Sequence, residues 1–388
     1  MNSGKFVLAQ LVEFINRYEF IKCVDRYHGD YKVKDFTCWN QFLCMMFGQL
    51  THRESITDII TCLEAHKNYV YHLGIKQVVA VSTLTRANEN RDHRIYVDLA
   101  EYLLKITRPL YIKESDFILE LDNTIYAFDS TTIDLCLNTF VWAKFRRTKA
   151  AVKMHTLLDI KSNLPTFIYI SEGKVHDVNA LDLLFYEENA FYIMDRGYID
   201  FKRLYNINLS KSFFVVRAKN NLKFRCICSR DVDKKTGLRC DQIIKLLTKK
   251  SEDDYPQYLR RVKFYDAENK LLLVFLTNNF EVDALQIALL YKQRWKIELF
   301  FKWIKQHLKI TAFWGFSENA VKTQIWIAVC TYLLIANVKK QLKSDLTMYE
   351  ILQIISVSIF SKSTLNELFT NKSKNLDIDS QHNQLTLF

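Results

Sequence analysis

The sequence predicts an α/β protein: a mixed sheet flanked by helices, interrupted by a β-rich insertion and bounded by helical regions at both ends. Three observations carry this. Apolar residues recur at helical spacing through residues 1–115, short β-type runs alternate with helical ones from about residue 117, and residues 218–275 break that alternation with strands and turns. At 388 residues the chain is too long for one ordinary core and suggests two or three domains.

The elements follow in order. Phe6–Phe20 and Thr37–Leu50 place apolar residues three and four apart, as helices do. Ser82 stands before the polar, basic stretch Thr83–Arg91 and is the expected N-cap of a short helix there. Such a helix suits a DNA groove, and equally a solvated position on a small bundle; no helix-turn-helix pattern decides between the two. Leu119–Asp129 reads as a strand running into Asp-Ser-Thr-Thr. Ala151–Asp159 and Leu164–Ser171 read as two more, joined by a turn at Lys161-Ser162-Asn163. Asn179–Glu188 reads as a helix, Phe191–Met194 as a short buried strand ending at Asp195, Ile199–Tyr205 as a helix and Ser212–Arg217 as a strand. The order strand, strand, strand, helix, strand, helix, strand fits a ribonuclease-H-like mixed sheet. The insertion at about 218–275 carries turns at Lys219-Asn220-Asn221 and Thr236-Gly237. Residues 283–309 form one long helix without Gly or Pro, residues 318–340 and 347–360 two more, and the polar tail after Asn371 frays.

Bulk chemistry narrows the partners. Hydrophobic residues make up 49% and Pro only 3 positions, so the chain folds rather than staying disordered. A net charge of +11 favours polyanions, nucleic acid before anionic membrane. Residues 199–270 hold 18 Lys/Arg against 9 Asp/Glu, so most of the excess lies in the helix, strand and insertion after Asp195. That suits a DNA backbone, although charge alone describes any basic surface. No apolar run is expected to reach the roughly 20 residues that span a bilayer, and Met1–Gln10 lacks a secretory h-region. Nine scattered cysteines read as reduced thiols of the cytosol. Cys226, Cys228 and Cys240 lack a fourth zinc ligand nearby and are expected to pack in a sheet.

The helix over 283–309 carries the functional argument. With Tyr291 as origin and about 100° per residue, Arg294, Glu298 and Lys305 fall near 300°, 340° and 320°, with Lys302 and Lys309 near 20° and 0°. Ile297, Phe300, Phe301, Ile304 and Leu308 gather on another face, between about 180° and 280°. One carboxylate thus stands in a row of cations, placed to ligate metal while its neighbours hold phosphates. The same stripe reads as an ordinary surface helix with i,i+4 pairs such as Arg294–Glu298. Asp129 and Asp195 each end a predicted strand, where sheets bind ligands. Two strand acids and one helix acid could hold two Mg²⁺ or Mn²⁺ ions through hard oxygen ligands. Asp122, Asp134, Asp159 and Asp177 are rivals near strand ends, where an Asp is usually a turn or cap residue. Phosphatase and serine-hydrolase readings lack their partners: Thr131 stands two positions after Asp129, and no Gly-x-Ser-x-Gly surrounds Ser130.

Tyr-x2-Arg-x3-Glu-x6-Lys is present as Tyr291, Arg294, Glu298 and Lys305, after Asp129-Ser-Thr and Asp195-Arg-Gly-Tyr in order. With these motifs residues 120–315 resemble the DDE transposases of bacterial insertion sequences, specifically the insertion sequence 4 family. The resemblance implies a helical DNA-binding domain over 1–115 and a ribonuclease-H-like catalytic domain over 116–315 with the β-rich insertion. It leaves a C-terminal helical region over 316–388 suited to dimerisation. It implies a cytoplasmic, DNA-associated enzyme that binds terminal inverted repeats, cleaves the ends and joins them to target DNA through a hairpin, as a synaptic homodimer without membrane. Asp129, Asp195 and Glu298 would be catalytic metal ligands for two Mg²⁺ or Mn²⁺ ions. Tyr291, Arg294 and Lys305, with Lys302, Arg196 and Tyr198, would contact DNA. Lys153, His155, His176 and Asp177 would play supporting parts. Relatives stack a flipped base on a Trp of the insertion, but this chain has no Trp between Trp142 and Trp295, which leaves Tyr255, Tyr258 or Tyr265 for the role. The alternatives are a catalytically silent or domesticated DNA-binding protein and a ribonuclease-H-like nuclease that does not transpose.

Overall fold

The computed structural model describes residues 4–112, 121–146 and 149–370. It divides into two units, Met1–Glu114 with Trp303–Phe388 and Ser115–Lys302. The expected boundary at 115/116, the start of the Leu119 strand and the tail after Asn371 lie outside the described residues.

Among the described residues, ten strands form the sheet of the second unit. β1 (Ile125–Leu135) pairs antiparallel with β3 (Lys149–Asp159), whose other edge carries β2 (Lys144–Arg146) and β4 (Leu164–Glu172). On its other side β1 runs parallel to β5 (Phe191–Met194), which runs parallel to β6 (Phe213–Arg217). The order β4-β3-β1-β5-β6, antiparallel at one end and parallel at the other, is the ribonuclease-H-like arrangement. The predicted turn sits between β3 and β4, with Asn163 in the left-handed region at φ 54°. β3 is buried at every residue after Lys149, so it shows no polar–apolar alternation, and its polar side chains Lys153, His155, Thr156 and Asp159 lie inside.

Two local expectations fail for tertiary reasons. Asn179–Glu188 is not an α-helix: a 3-10 turn spans Asp177–Leu183 and the chain then extends from Leu184. Glu187 is held away by hydrogen bonds from Thr124 Oγ1 (2.9 Å) and the Tyr126 hydroxyl (2.6 Å), and Tyr192 Oη accepts its backbone N–H at 2.8 Å. Those bonds outweigh a weak helical propensity. The helix expected from Ile199 starts later, at Phe201–Leu209, because Asp200 caps it through the Arg203 N–H.

The insertion does not stand apart from the sheet. β7 (Phe224–Arg230), β8 (Leu238–Leu246), β9 (Leu259–Asp266) and β10 (Leu271–Thr277) continue it, with β10 antiparallel to β6. Gly237 closes the β7–β8 connection at φ 94°, and a Cβ there would meet the Tyr265 carbonyl at 2.7 Å, so only glycine fits. Cys226 and Cys228 lie exposed on β7, and Cys240 is half-buried on β8, so these thiols belong to the sheet without being packed inside it. Arg260 of β9 is 2% exposed and grips Asp241 of β8 through two bonds of 2.8 Å, while Nη1 donates to the Val282 carbonyl. This pair fastens the insertion to the segment leading into helix Ala284–Lys292.

In the helical unit the helix expected over Thr37–Leu50 spans Cys38–Leu50, with Thr37 as its N-cap. The stretch read as one helix over Phe6–Phe20 is two, Val7–Val12 and Arg17–Arg26, the second capped by Asn16. Ser82 is not an N-cap: the helix spans Val81–Asn90 from an uncapped Ala80. Its Leu84, Ala87 and Asn88 are buried, with Asn88 Oδ1 accepting from Gln41 Nε2 at 2.8 Å, while Arg86 and Glu89 stay exposed. Helix Glu318–Gln341 is long and apolar enough to cross a membrane by length and composition, which the sequence reading had not allowed for, but 94% of its apolar window is buried within the protein. Met348–Ser358 begins with a capping box between Thr347 and Glu350.

Truncating Arg260 to Ala should destabilise the sheet unit by roughly 3–5 kcal/mol, because the Asp241 carboxylate is left buried and unpaired. Urea unfolding checks this, and the paired change Arg260→Met with Asp241→Leu should recover most of the loss.

Candidate active site

Strand register brings the first two acids together. In the parallel pair β1–β5 the last partners are Phe128 and Met194. The next residue of each chain is Asp129 and Asp195, so the two acids leave adjacent strands side by side. Asp129 does not end its strand, as the sequence suggested: β1 continues to Leu135 against β3. It marks instead the point where the parallel pairing stops and the sheet edge facing Asp195 opens. Asp195 follows β5 and precedes the 3-10 turn Arg196–Tyr198.

The third acid comes from a broken helix. Residues 283–309 are not continuous: Ala284–Lys292 and Trp295–His307 are separated at Gln293 and Arg294. The backbone there closes i→i+3 bonds, Arg294 N to Tyr291 O at 3.0 Å and Ile297 N to Arg294 O at 3.1 Å. A 3-10 turn eclipses residues three apart, so Tyr291 and Arg294 line up more closely than an unbroken α-helix would place them. The Tyr291 ring is buried against Phe275, centroids 4.6 Å apart, and its hydroxyl lies 3.4 Å from Asp195 Oδ1. Arg294 donates from Nη1 to Asp129 Oδ2 at 3.0 Å and from Nη2 to Glu298 Oε1 at 2.6 Å. One guanidinium therefore ties the strand acid to the helix acid.

The electrostatics follow. Burial above all, opposed by the Ser130 N–H and Arg294 and reinforced by Asp195 and Glu298, raises the Asp129 carboxyl to about 6. Burial likewise raises the Tyr291 phenol to about 12, so it acts as a neutral donor. The donor set is oxygen-only and short of positive charge, which fits a hard divalent cation. Among the described residues no three His, Cys, Asp or Glu side chains form a ready metal group as they stand; Arg294 lies between two of the acids.

Beneath Asp129 lies a polar network that the sequence marked only as a set of supporting residues. The Ser130 N–H donates to Asp129 Oδ1 at 2.8 Å, and its hydroxyl donates to Asp177 Oδ1 at 2.8 Å. Asp177 also takes Lys153 Nζ at 3.1 Å. His155 is fully buried with Nε2 on Ser171 Oγ at 2.9 Å, and burial pushes it down to about 4, so it stays neutral. The network anchors the backbone at Asp129 through Ser130. It also sorts the rival acids. Asp159 accepts from the Lys161 and Ser162 N–H groups in the β3–β4 turn, Asp122 and Asp134 are exposed, and Asp177 holds Ser130.

The remaining expected residues divide. Arg196 and Lys302 are exposed. Tyr198, expected to contact DNA, is only 3% exposed, and its ring lies edge-on to Phe128 at 5.2 Å. Lys305 is half-buried two turns beyond Glu298, in the part of the helix assigned to the helical unit. His176 precedes the Asp177–Leu183 turn as its extended N-cap residue, without a capping side-chain bond. Arg217, at the end of β6, acts electrostatically on Tyr291 and was missed, because a cation ending a strand carries no motif.

A family described as Transposase DDE domain matches residues 120–334, more than half of the chain. The chain belongs to the DDE transposase family. A second match, a domain of unknown function (DUF4372), covers residues 3–76. The transposase-named y4zB protein of Sinorhizobium fredii is 35% identical over 50% of this chain and 55% of its own length. The protein named as transposase for element IS5377 of Geobacillus stearothermophilus is 28% identical over 64% of this chain and 65% of its own. That named for element IS4SA of Synechocystis is 24% identical over 74% and 80%. The chain thus spans between half and two thirds of the length of the first two relatives. These matches agree with the insertion sequence 4 type expected from the motifs. A solved piggyBac transposase synaptic complex with hairpin DNA is similar at a TM-score of 0.47 and 11% identity, over 98% of this chain and 85% of that one.

The raised Asp129 pKa makes a signed prediction. Its folded value, about 6, lies above the ordinary 3.8, so ionised Asp129 penalises the fold fully above pH 6 and progressively less as pH falls toward 4. Without metal or DNA, Asp129→Asn should therefore stabilise the transposase by about 1–3 kcal/mol at pH 8 and by nothing measurable at pH 4. Thermal unfolding across that range is the check.

Proposed function

We propose that this DDE transposase binds the inverted-repeat ends of an insertion sequence, cleaves them and joins them to target DNA, with Asp129, Asp195 and Glu298 as the catalytic acids. The observation that supports this most is the meeting of two strand acids at matching positions just past the last β1–β5 register pair, with a helix acid held to one of them by Arg294. In this reading the three carboxylates hold Mg²⁺ or Mn²⁺, two ions by the family's chemistry. When bound, the ions activate the attacking oxygen and stabilise the leaving oxygen of an in-line phosphoryl transfer. Water attack at the transposon end breaks a P–O bond and leaves a 3′-hydroxyl; that hydroxyl then attacks a second phosphodiester, on the opposite strand to form a hairpin or on target DNA to join it. Arg294, Tyr291, Lys302, Lys305 and Arg196 serve the phosphates of the transferred end, and the basic segment after Asp195 tracks the flanking backbone. The protein acts as a synaptic homodimer on DNA in the cytoplasm.

The flipped-base role falls to Tyr258. Tyr255 is 1% exposed and Tyr265 lies under Arg239, 5.4 Å from ring centre to guanidinium carbon. Tyr258 is 51% exposed and lines a cavity of about 630 Å³ with Arg230, Lys245 and Phe280. An exposed π-face in a cavity that two cations also line suits an unstacked nucleotide.

The decisive experiment uses a labelled inverted-repeat duplex. Wild type should nick it in Mg²⁺ and not in EDTA, and Glu298→Gln should lose roughly 10²-fold or more while still binding the end. End binding without cutting by wild type would instead support a silent DNA-binding protein. Tyr258→Ala should leave the first nick intact and slow hairpin formation about tenfold or more.

A further inference from the structure

We infer that Arg294 occupies the place of the divalent cation in the DNA-free chain, and that a DNA phosphate must draw it away before metal binds well, so that DNA and metal capture are coupled through this one side chain. The inference rests on the proposed reading of Asp129 and Glu298 as metal ligands.

Three features carry it. First, the guanidinium spends two of its three nitrogens on the acids: Nη1 on Asp129 at 3.0 Å and Nη2 on Glu298 at 2.6 Å. A cation bridging two carboxylates 165 and 4 residues away does electrostatically what a metal ion would do there. Second, the fork is not fully satisfied. Its Nε is buried with no hydrogen-bond partner. A buried donor without an acceptor is costly, and a tetrahedral oxyanion supplies the acceptor. The resting arrangement thus contains a standing demand for a phosphate oxygen. Third, Arg294 lies in the break between helices Ala284–Lys292 and Trp295–His307, where the backbone makes i→i+3 bonds. Side chains in such a break are less constrained by helical neighbours than those in mid-helix. The acids themselves sit on β1 and near the start of the second helix, so the group best able to move is the arginine.

The consequence is a sequence of assembly. Without DNA, metal competes with a tethered cation for Asp129 and Glu298. With a phosphate on Arg294, both carboxylates lose their partner, repel each other and take up metal. By linkage the coupling is reciprocal: metal on the acids frees Arg294 for phosphate. A transposase built this way stays poorly loaded until an end is seated.

Mn²⁺ binding to the full chain without DNA tests this, read by electron paramagnetic resonance of the free ion. Arg294→Met keeps the aliphatic stem and deletes the fork; it should bind Mn²⁺ at least about tenfold more tightly than wild type. Arg294→Lys, a point charge that cannot bridge both acids, should fall between. In wild type, sulfate as a tetrahedral dianion should tighten Mn²⁺ binding relative to chloride at equal ionic strength, and in Arg294→Met it should not. Glu298→Gln should abolish Mn²⁺ binding and leave the free-ion signal at full strength. Equal or weaker binding by Arg294→Met, with Glu298-dependent binding in wild type, overturns the coupling and makes Arg294 a simple positioner of metal ligands. Mn²⁺ binding that ignores Glu298→Gln overturns the ligand assignment itself. The sulfate comparison in wild type stands even where Arg294→Met fails to fold: no sulfate effect overturns the coupling.

Discussion

Three carboxylates cannot share a partly buried pocket without positive charge among them. That repulsion organises the sheet unit around Asp129. Burial and two neighbouring acids hold the Asp129 carboxyl near 6, and the compensation comes from Arg294, reaching from a helix break to a strand. The fold must deliver that arginine to within 3.0 Å of Asp129 Oδ2 and 2.6 Å of Glu298 Oε1 at once. A straight helix over 283–309 would spread Tyr291, Arg294 and Glu298 along a surface stripe. The break tightens their turn and lets one face serve both strand acids.

The support beneath the acids follows from the same need. β3 is buried on both faces, yet it carries Lys153 and His155. Neither belongs in such a strand on propensity. Lys153 is held by Asp177 and the Val175 carbonyl, and Asp177 in turn holds Ser130. These bonds fix the backbone N–H that caps Asp129 and keep a second cation within the protein close to an acid-rich site. A buried polar network of this kind destabilises unless its members are paired, and nearly all of these are.

Much of this was legible in the sequence, and the reasons differ by element. The succession of strands was readable because β5 and β6 are short and apolar and Asn163 marks a tight turn between β3 and β4. Glu298 and Arg294 were readable because helical spacing is a geometric fact that needs no tertiary context. The break at Gln293 and Arg294 was not readable: no Gly or Pro marks it, and it arises where the helix must serve two sheet acids. The extension of β1 past Asp129 was hidden because Ser130, Thr131 and Thr132 suit a turn as well as a strand, and only pairing with β3 decides. The lost helix at 179–188 was hidden for the same reason, since Glu187 is taken by Thr124 and Tyr126 from another element. Tyr198 looked like a surface residue because Asp-Arg-Gly-Tyr sits in a loop; that its ring turns inward onto Phe128 is a packing fact.

The insertion changes meaning once its pairing is known. Read as a basic interruption, it is an appendage that meets DNA. As strands β7–β10 it is the continuation of the catalytic sheet, and its innermost strand, β10, pairs with β6 two strands from β1. Arg260 then ties β8 and β9 to Asn279 and Val282, the residues just before the helix that carries Tyr291. Hydrogen bonds and a buried ion pair therefore connect the insertion to the segment before helix Ala284–Lys292, two residues beyond which lies Arg294. The positive charge that follows Asp195 and the arginine that bridges Asp129 and Glu298 thus belong to one continuous sheet and the broken helix that follows it, and the insertion's strands are part of the framework that positions the acids.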